Sequence, residues 1–119
     1  MSPLMANQQA FLFDFCKLIV FANKQGFIIT AGELLRPEEM QRIYMRTGRS
    51  KTMNSLHLRK LAGDLNLFKA DSMGKARLVS TKRGLQPLGD YWESLHPLNR
   101  WGGNFKSFKD LGHFERNYK

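Results

Sequence analysis

Cysteine is nearly absent: Cys16 stands alone among 119 residues. That excludes an intrachain disulfide framework and any zinc finger built on thiolates. The residue falls in an apolar, helix-like run, where a small buried thiol is expected rather than a nucleophile. Proline is scarce, four in all, and no repeat or low-complexity tract occurs, so the composition reads as globular. No apolar stretch is long enough to cross a bilayer. Asp14, Lys17 and Lys24 interrupt the N-terminal one and no positive charge precedes it, which argues against both a membrane span and a signal peptide. A protein made and at first kept in a cytoplasm is expected. Acidic side chains are also in deficit, ten against nineteen Lys and Arg, giving a formal charge of +9 and a pI near 10.1. Such a field attracts polyanions, but its sign does not distinguish nucleic acid from lipopolysaccharide, teichoic acid or peptidoglycan carboxylates.

What remains is ample for one core. Hydrophobic residues make up 42% and aromatics 12% of a 13.8 kDa chain, the size of a single domain with one active site at most. From Ala6 to Lys24 apolar residues recur with a helical period, and Gly26 follows as a stop. Residues 27–31 form a β-branched run suited to a strand, residues 32–36 a turn, and Pro37-Glu38-Glu39 opens a helix through Tyr44. Residues 47–54 have the composition of an exposed loop. Residues 64–68 and 77–80 read as a hairpin about the turn Asp71-Ser72-Met73-Gly74, residues 85–95 as a helix, and the tail from Trp101 as a turn and a final strand. The order predicts an α+β domain over residues 1–119, an antiparallel sheet with packed helices, residues 1–26 packing on the core.

Only three histidines exist. With so little cysteine, a zinc ion would have to be held by nitrogen and oxygen. Two imidazoles and one carboxylate would leave a fourth position open to water, as in catalytic rather than structural zinc. Spacing alone leaves this undecided. His57 with Asp64 could belong to a leucine-rich helix through Leu56, Leu58, Leu61 and Leu65, and His113 beside Phe114 could be a packed ring in an edge strand. His96, before Pro97, reads as a loop histidine. Trp92 and Trp101 read as core or cleft-wall aromatics. Arg42, Arg46, Arg49 and Lys51 read as a solvated basic face that would also be drawn to an anionic wall.

The wording around two histidines adds a further signal. Ser55-x-His57-x6-Asp64, Asp110-x-x-His113-Phe114-Glu115, Gly32-Glu33-x-x-Arg36 and Asn99-Arg100-Trp101-Gly102-Gly103 occur in order. Together, over about residues 30–116, they resemble the zinc D-alanyl-D-alanine carboxypeptidases and L-alanyl-D-glutamate endopeptidases, including phage endolysins and the vancomycin-resistance dipeptidases. The resemblance implies zinc in a cleft on the sheet, held by His57, Asp64 and His113, with Asp110 as general base and Arg36 stabilising the oxyanion. It further implies that Ser55, on the same side of an extended chain as His57, orients substrate or a ligand, and that Trp101 borders substrate. Lys60 and Asn104 depart from the family pattern, standing where many members have glycine and aspartate. Asp110 in place of the glutamate of the dipeptidase branch favours the endopeptidases. The implied protein is a monomer acting on peptidoglycan peptide, with no nucleic-acid partner, released from a host cytoplasm to reach the wall. The alternatives are a small basic nucleic-acid-binding domain in which the histidines are incidental, and an inactive relative that only binds wall.

Overall fold

The computed structural model describes residues 1–34, 37–48 and 55–119. Its first element, α1 (Pro3–Lys24), starts three residues before the periodicity suggested. The reason is local: the Ser2 side chain accepts from the Met5 N–H at 3.1 Å and Pro3 takes the first helical position, where its missing N–H costs nothing. The helix ends at Gln25, and Gly26 supplies the left-handed residue, φ +90°, that turns the chain back.

There follow β1 (Ile28–Ala31), α2 (Glu38–Arg46), β2 (Ala62–Ala70), β3 (Ala76–Leu78), α3 (Lys82–Leu95), β4 (Asn99–Trp101) and β5 (His113–Arg116). Pairing is antiparallel throughout, in the order β1-β2-β5-β4, with β3 alongside the far end of β2. The α+β expectation therefore holds. Trp101, read as the start of a turn, closes the short strand Asn99–Trp101. His113 lies not on an edge but on β5, which is enclosed between β2 and β4. Residues 55–60 form turns rather than a leucine-rich helix.

The period of two along each strand separates packing from chemistry. On one face Leu65, Leu67, Trp101 and Phe114 join Phe11, Phe15 and Leu18 of α1 and Leu85, Leu88 and Trp92 of α3 in one core. Trp92 meets Phe11, Phe15 and Phe114 edge-on. Burial of each large side chain contributes about 1.5–3 kcal/mol. On the same face Arg116 reaches across to Asp14 of α1 at 2.5 Å, and Asn99 bonds both. On the other face the register sets Asp64 opposite His113 and Arg100 opposite Glu115. One expectation fails: Cys16 faces water, because the buried stripe of α1 runs through Phe11, Asp14, Phe15, Leu18 and Ala22 and leaves position 16 outside it.

Candidate metal centre

Three backbone constraints bring the centre together. Asp64 is gripped on both edges of β2: its N–H donates to the Glu33 carbonyl and its own carbonyl accepts from Gly32, each at 2.8 Å, while β5 places His113 beside it. Any side chain at position 32 would meet the Asp64 carbonyl at 2.9 Å, so the glycine permits this approach. His57 arrives from the turns before β2. Its N–H donates to the Ser55 hydroxyl at 3.2 Å, and the Leu58 N–H donates to the Ser55 carbonyl at 3.1 Å. Ser55 thus shapes the turn that carries His57, and the extended chain expected there is absent.

His57 and His113 are buried, and one ligand atom from each, with one from Asp64, lie within 4.8 Å of one another. His57 Nε2 is 3.3 Å and His113 Nδ1 2.9 Å from Asp64 Oδ1. A tetrahedral centre with bonds of about 2.0–2.1 Å separates neighbouring ligand atoms by roughly 3.4 Å, so the two distances to Asp64 suit a shared ion, with the set as a whole inside 4.8 Å.

The outer nitrogens are held as ligands require. His57 Nδ1 lies 3.2 Å from the Leu34 carbonyl, which can only accept, so Nδ1 donates there and the ring is turned with Nε2 toward Asp64. His113 Nε2 lies 2.7 Å from Glu115 Oε1, and Arg100 Nε donates to the other oxygen of Glu115 at 2.9 Å. Without metal, His113 faces carboxylates at both nitrogens. Burial opposes its charged form, but the hydrogen bonds to Asp64 and Glu115 and their charges outweigh it and raise its pKa to about 9. For Asp64 burial again acts upward, and the bonds and charges of His113 and His57 prevail, holding the carboxyl far below its usual range. Glu115 is likewise lowered against its burial by His113 and Arg100. Arg100 and Glu115 stand in the motifs quoted from the sequence but receive no role there, and Leu34 reads only as part of a turn. The signal for Glu115 was present, since residues two apart on a strand share a face.

Asp110 sits on the loop into β5. Its N–H donates to the Gly102 carbonyl at 3.0 Å and its carbonyl accepts from His113 at 3.2 Å. A Cβ at position 102 would lie 2.0 Å from the Asp110 carbonyl, so Gly102 is what lets this loop close. Asp64 and Asp110 line one cleft of about 460 Å³, with Asn66, Ser80, Phe108 and Lys109. Trp101 does not border it. The indole is fully buried against Gly89 and Gly103 and donates Nε1–H to the Leu111 carbonyl at 2.9 Å, so it props the loop from behind. His96 caps α3 away from the cluster, its Nδ1 accepting from Leu98. Arg36, Arg49 and Lys51 lie outside the described residues.

A family model described as D-alanyl-D-alanine carboxypeptidase matches residues 48–116, more than half the chain. That stretch contains His57, Asp64, Asp110 and His113. No curated protein matches. Among solved structures the chain is similar to the Serratia marcescens L-Ala D-Glu endopeptidase ChiX, at 22% identity over 98% of this chain and 87% of that one, with a TM-score of 0.69. At that identity the likeness concerns the fold, and it takes in α1 and β1, which precede the family match.

Proposed function

The chain belongs to the D-alanyl-D-alanine carboxypeptidase family, and from that membership we propose a zinc-dependent peptidase that hydrolyses the L-Ala–D-Glu bond of peptidoglycan stem peptide. The observation that carries the reading is the His57, Asp64, His113 cluster, with Asp110 on the same cleft as Asp64. The shape likeness to an L-Ala D-Glu endopeptidase and the short carboxylate at position 110 support this bond over D-Ala–D-Ala. His57 Nε2, an Asp64 oxygen and His113 Nδ1 would hold the ion. A bound zinc supplies Lewis acidity, polarising the scissile carbonyl and lowering the pKa of water to about 7.

The remaining work belongs to the chain. A carboxylate oxygen of Asp110 takes a proton from the attacking water and returns it to the departing amine, one group serving both transfers. Glu115 fixes the His113 ring through Nε2–H, and the Leu34 carbonyl does the same for His57 through Nδ1–H. Arg36 is assigned to the developing oxyanion. The reading extends to a monomer and to an endolysin of phage origin, crossing from the host cytoplasm to an anionic wall that a basic chain would meet favourably.

Mass spectrometry of digested muropeptides tests this. Purified protein carrying one zinc per chain releases fragments cut between L-Ala and D-Glu, and chelation stops release until zinc is restored. Asp110→Ala keeps its zinc and loses roughly a hundredfold or more in rate. Hydrolysis that survives chelation, or an Asp110→Ala variant as fast as the parent, overturns the assignment. Cleavage confined to D-Ala–D-Ala overturns the choice of bond.

A further inference from the structure

Helix α1 is apolar on two sides. Phe11, Phe15, Leu18 and Ala22 enter the core, while Met5, Leu12, Phe13 and Val20 are each more than half exposed. With Met1 they make five of the eleven large apolar side chains exposed among the described residues. At 3.6 residues per turn, positions 5, 12, 13, 16 and 20 fall within roughly 100° of one another, and positions 17 and 24 border the arc on one side. A helix packed by one face on a soluble domain ordinarily turns charge outward there. Here the outward charges are Lys17 and Lys24, and the helix's only carboxylate, Asp14, is buried on Arg116. Beside the arc, Met5, Leu12, Leu34 and Lys60 line an apolar groove of about 360 Å³.

We propose that the outward face of α1 docks the protein on a lipid surface rich in anionic headgroups, with Leu12, Phe13 and Val20 at the acyl boundary and Lys17 and Lys24 on the headgroups. The charge selects this occupant. Two copies at +9 repel one another, which opposes pairing through this face. A wall polymer would answer the lysines but leave the apolar arc in water, whereas an anionic bilayer satisfies both. The lysine stems are long enough to reach headgroups while the arc is submerged. No helix among the described residues is long and apolar enough to cross a membrane, so the contact is peripheral. This inference is independent of the peptidase reading.

Co-sedimentation of the full chain with vesicles decides it, using phosphatidylcholine alone and an equimolar phosphatidylcholine and phosphatidylglycerol mixture. The protein pellets with the mixture and stays in solution with the neutral vesicles. Leu12→Gln with Phe13→Gln lowers partitioning about tenfold or more, and Lys17→Glu with Lys24→Glu does the same. Leu12 and Phe13 are more than half exposed and Lys17 and Lys24 lie outside the buried stripe of α1, so both double variants stay folded, Lys24→Glu in the last turn of the helix lowering the melting temperature only slightly. In Phe13→Trp the added indole emission shifts to the blue on the mixed vesicles. Failure to pellet with the mixture, or pelleting unchanged by Leu12→Gln with Phe13→Gln, overturns the proposal. So does a dimer in sedimentation velocity that the same double variant dissolves.

Discussion

Lys60 is the one non-glycine residue with positive φ among those described, +59°, at the turn between His57 and β2. A side chain in the left-handed region costs about 1–2 kcal/mol, which explains why glycine suits this place. Part of that cost returns as unfolded-state entropy when glycine is introduced. Lys60→Gly is therefore expected to gain about 0.5–1 kcal/mol in urea unfolding, and Lys60→Ala to gain nothing. Equal stability of the two variants would discard the strain argument. His113 makes a second prediction. Its pKa is raised from 6.5 to about 9 in the metal-free protein, so the stability it contributes is complete below 6.5 and is lost as pH rises through 9. A metal held at Nδ1 would need that proton gone. Melting curves of chelated protein should thus fall between pH 6.5 and 9, while the increment from added zinc grows over the same interval. A zinc increment that shrinks with rising pH would contradict this placement of the proton. At this scale the wording of the sequence singled out His57, Asp64, Asp110 and His113, and the fold brings His57, Asp64 and His113 together. Glu115 and Arg100 stood in the same motifs without a role, because the pairing that gives them one depends on a strand register that no local pattern states.

Among the elements, the link between α1 and β5 has the largest consequence. Arg116 is buried with Asp14 as its ionic partner, and Asn99 completes the set by bonding to Arg116, Asp14 and the Trp92 carbonyl. Removing one member leaves the opposite charge buried without compensation, a loss of about 3–5 kcal/mol. Asp14→Ala should lower stability by that amount in thermal or urea unfolding, whereas Arg77→Ala, which breaks only an exposed pair with Asp71, should cost far less. Similar losses for the two would refute the assignment of the network. The helices were legible because 3.6-residue periods survive in the sequence, and the hairpin because its turn residues are explicit. The boundaries were less so. Helix α3 begins at Lys82, earlier than expected, because Thr81 caps it and Pro87 falls where only one helical hydrogen bond is forfeited. Strand β4 is three residues long and is specified by its partner rather than by its own pattern.

For the whole molecule, α+β class and a cleft on the sheet followed from element order and family wording. Strand order did not, because β5 enters the middle of the sheet from the end of the chain. Its neighbour β2 is formed some fifty residues earlier, and its ionic tie to α1 spans 102 positions. Contacts of such separation close late in folding. Synthesis proceeds from the N-terminus at about 5–20 residues per second, and until His113 has emerged β2 lacks one neighbour and Asp64 lacks the ring opposite it. A nascent or C-terminally shortened chain consequently cannot assemble the centre. The timing of hydrolytic competence is written into the topology: the cell making the protein meets the finished centre only after the last strand has been threaded home.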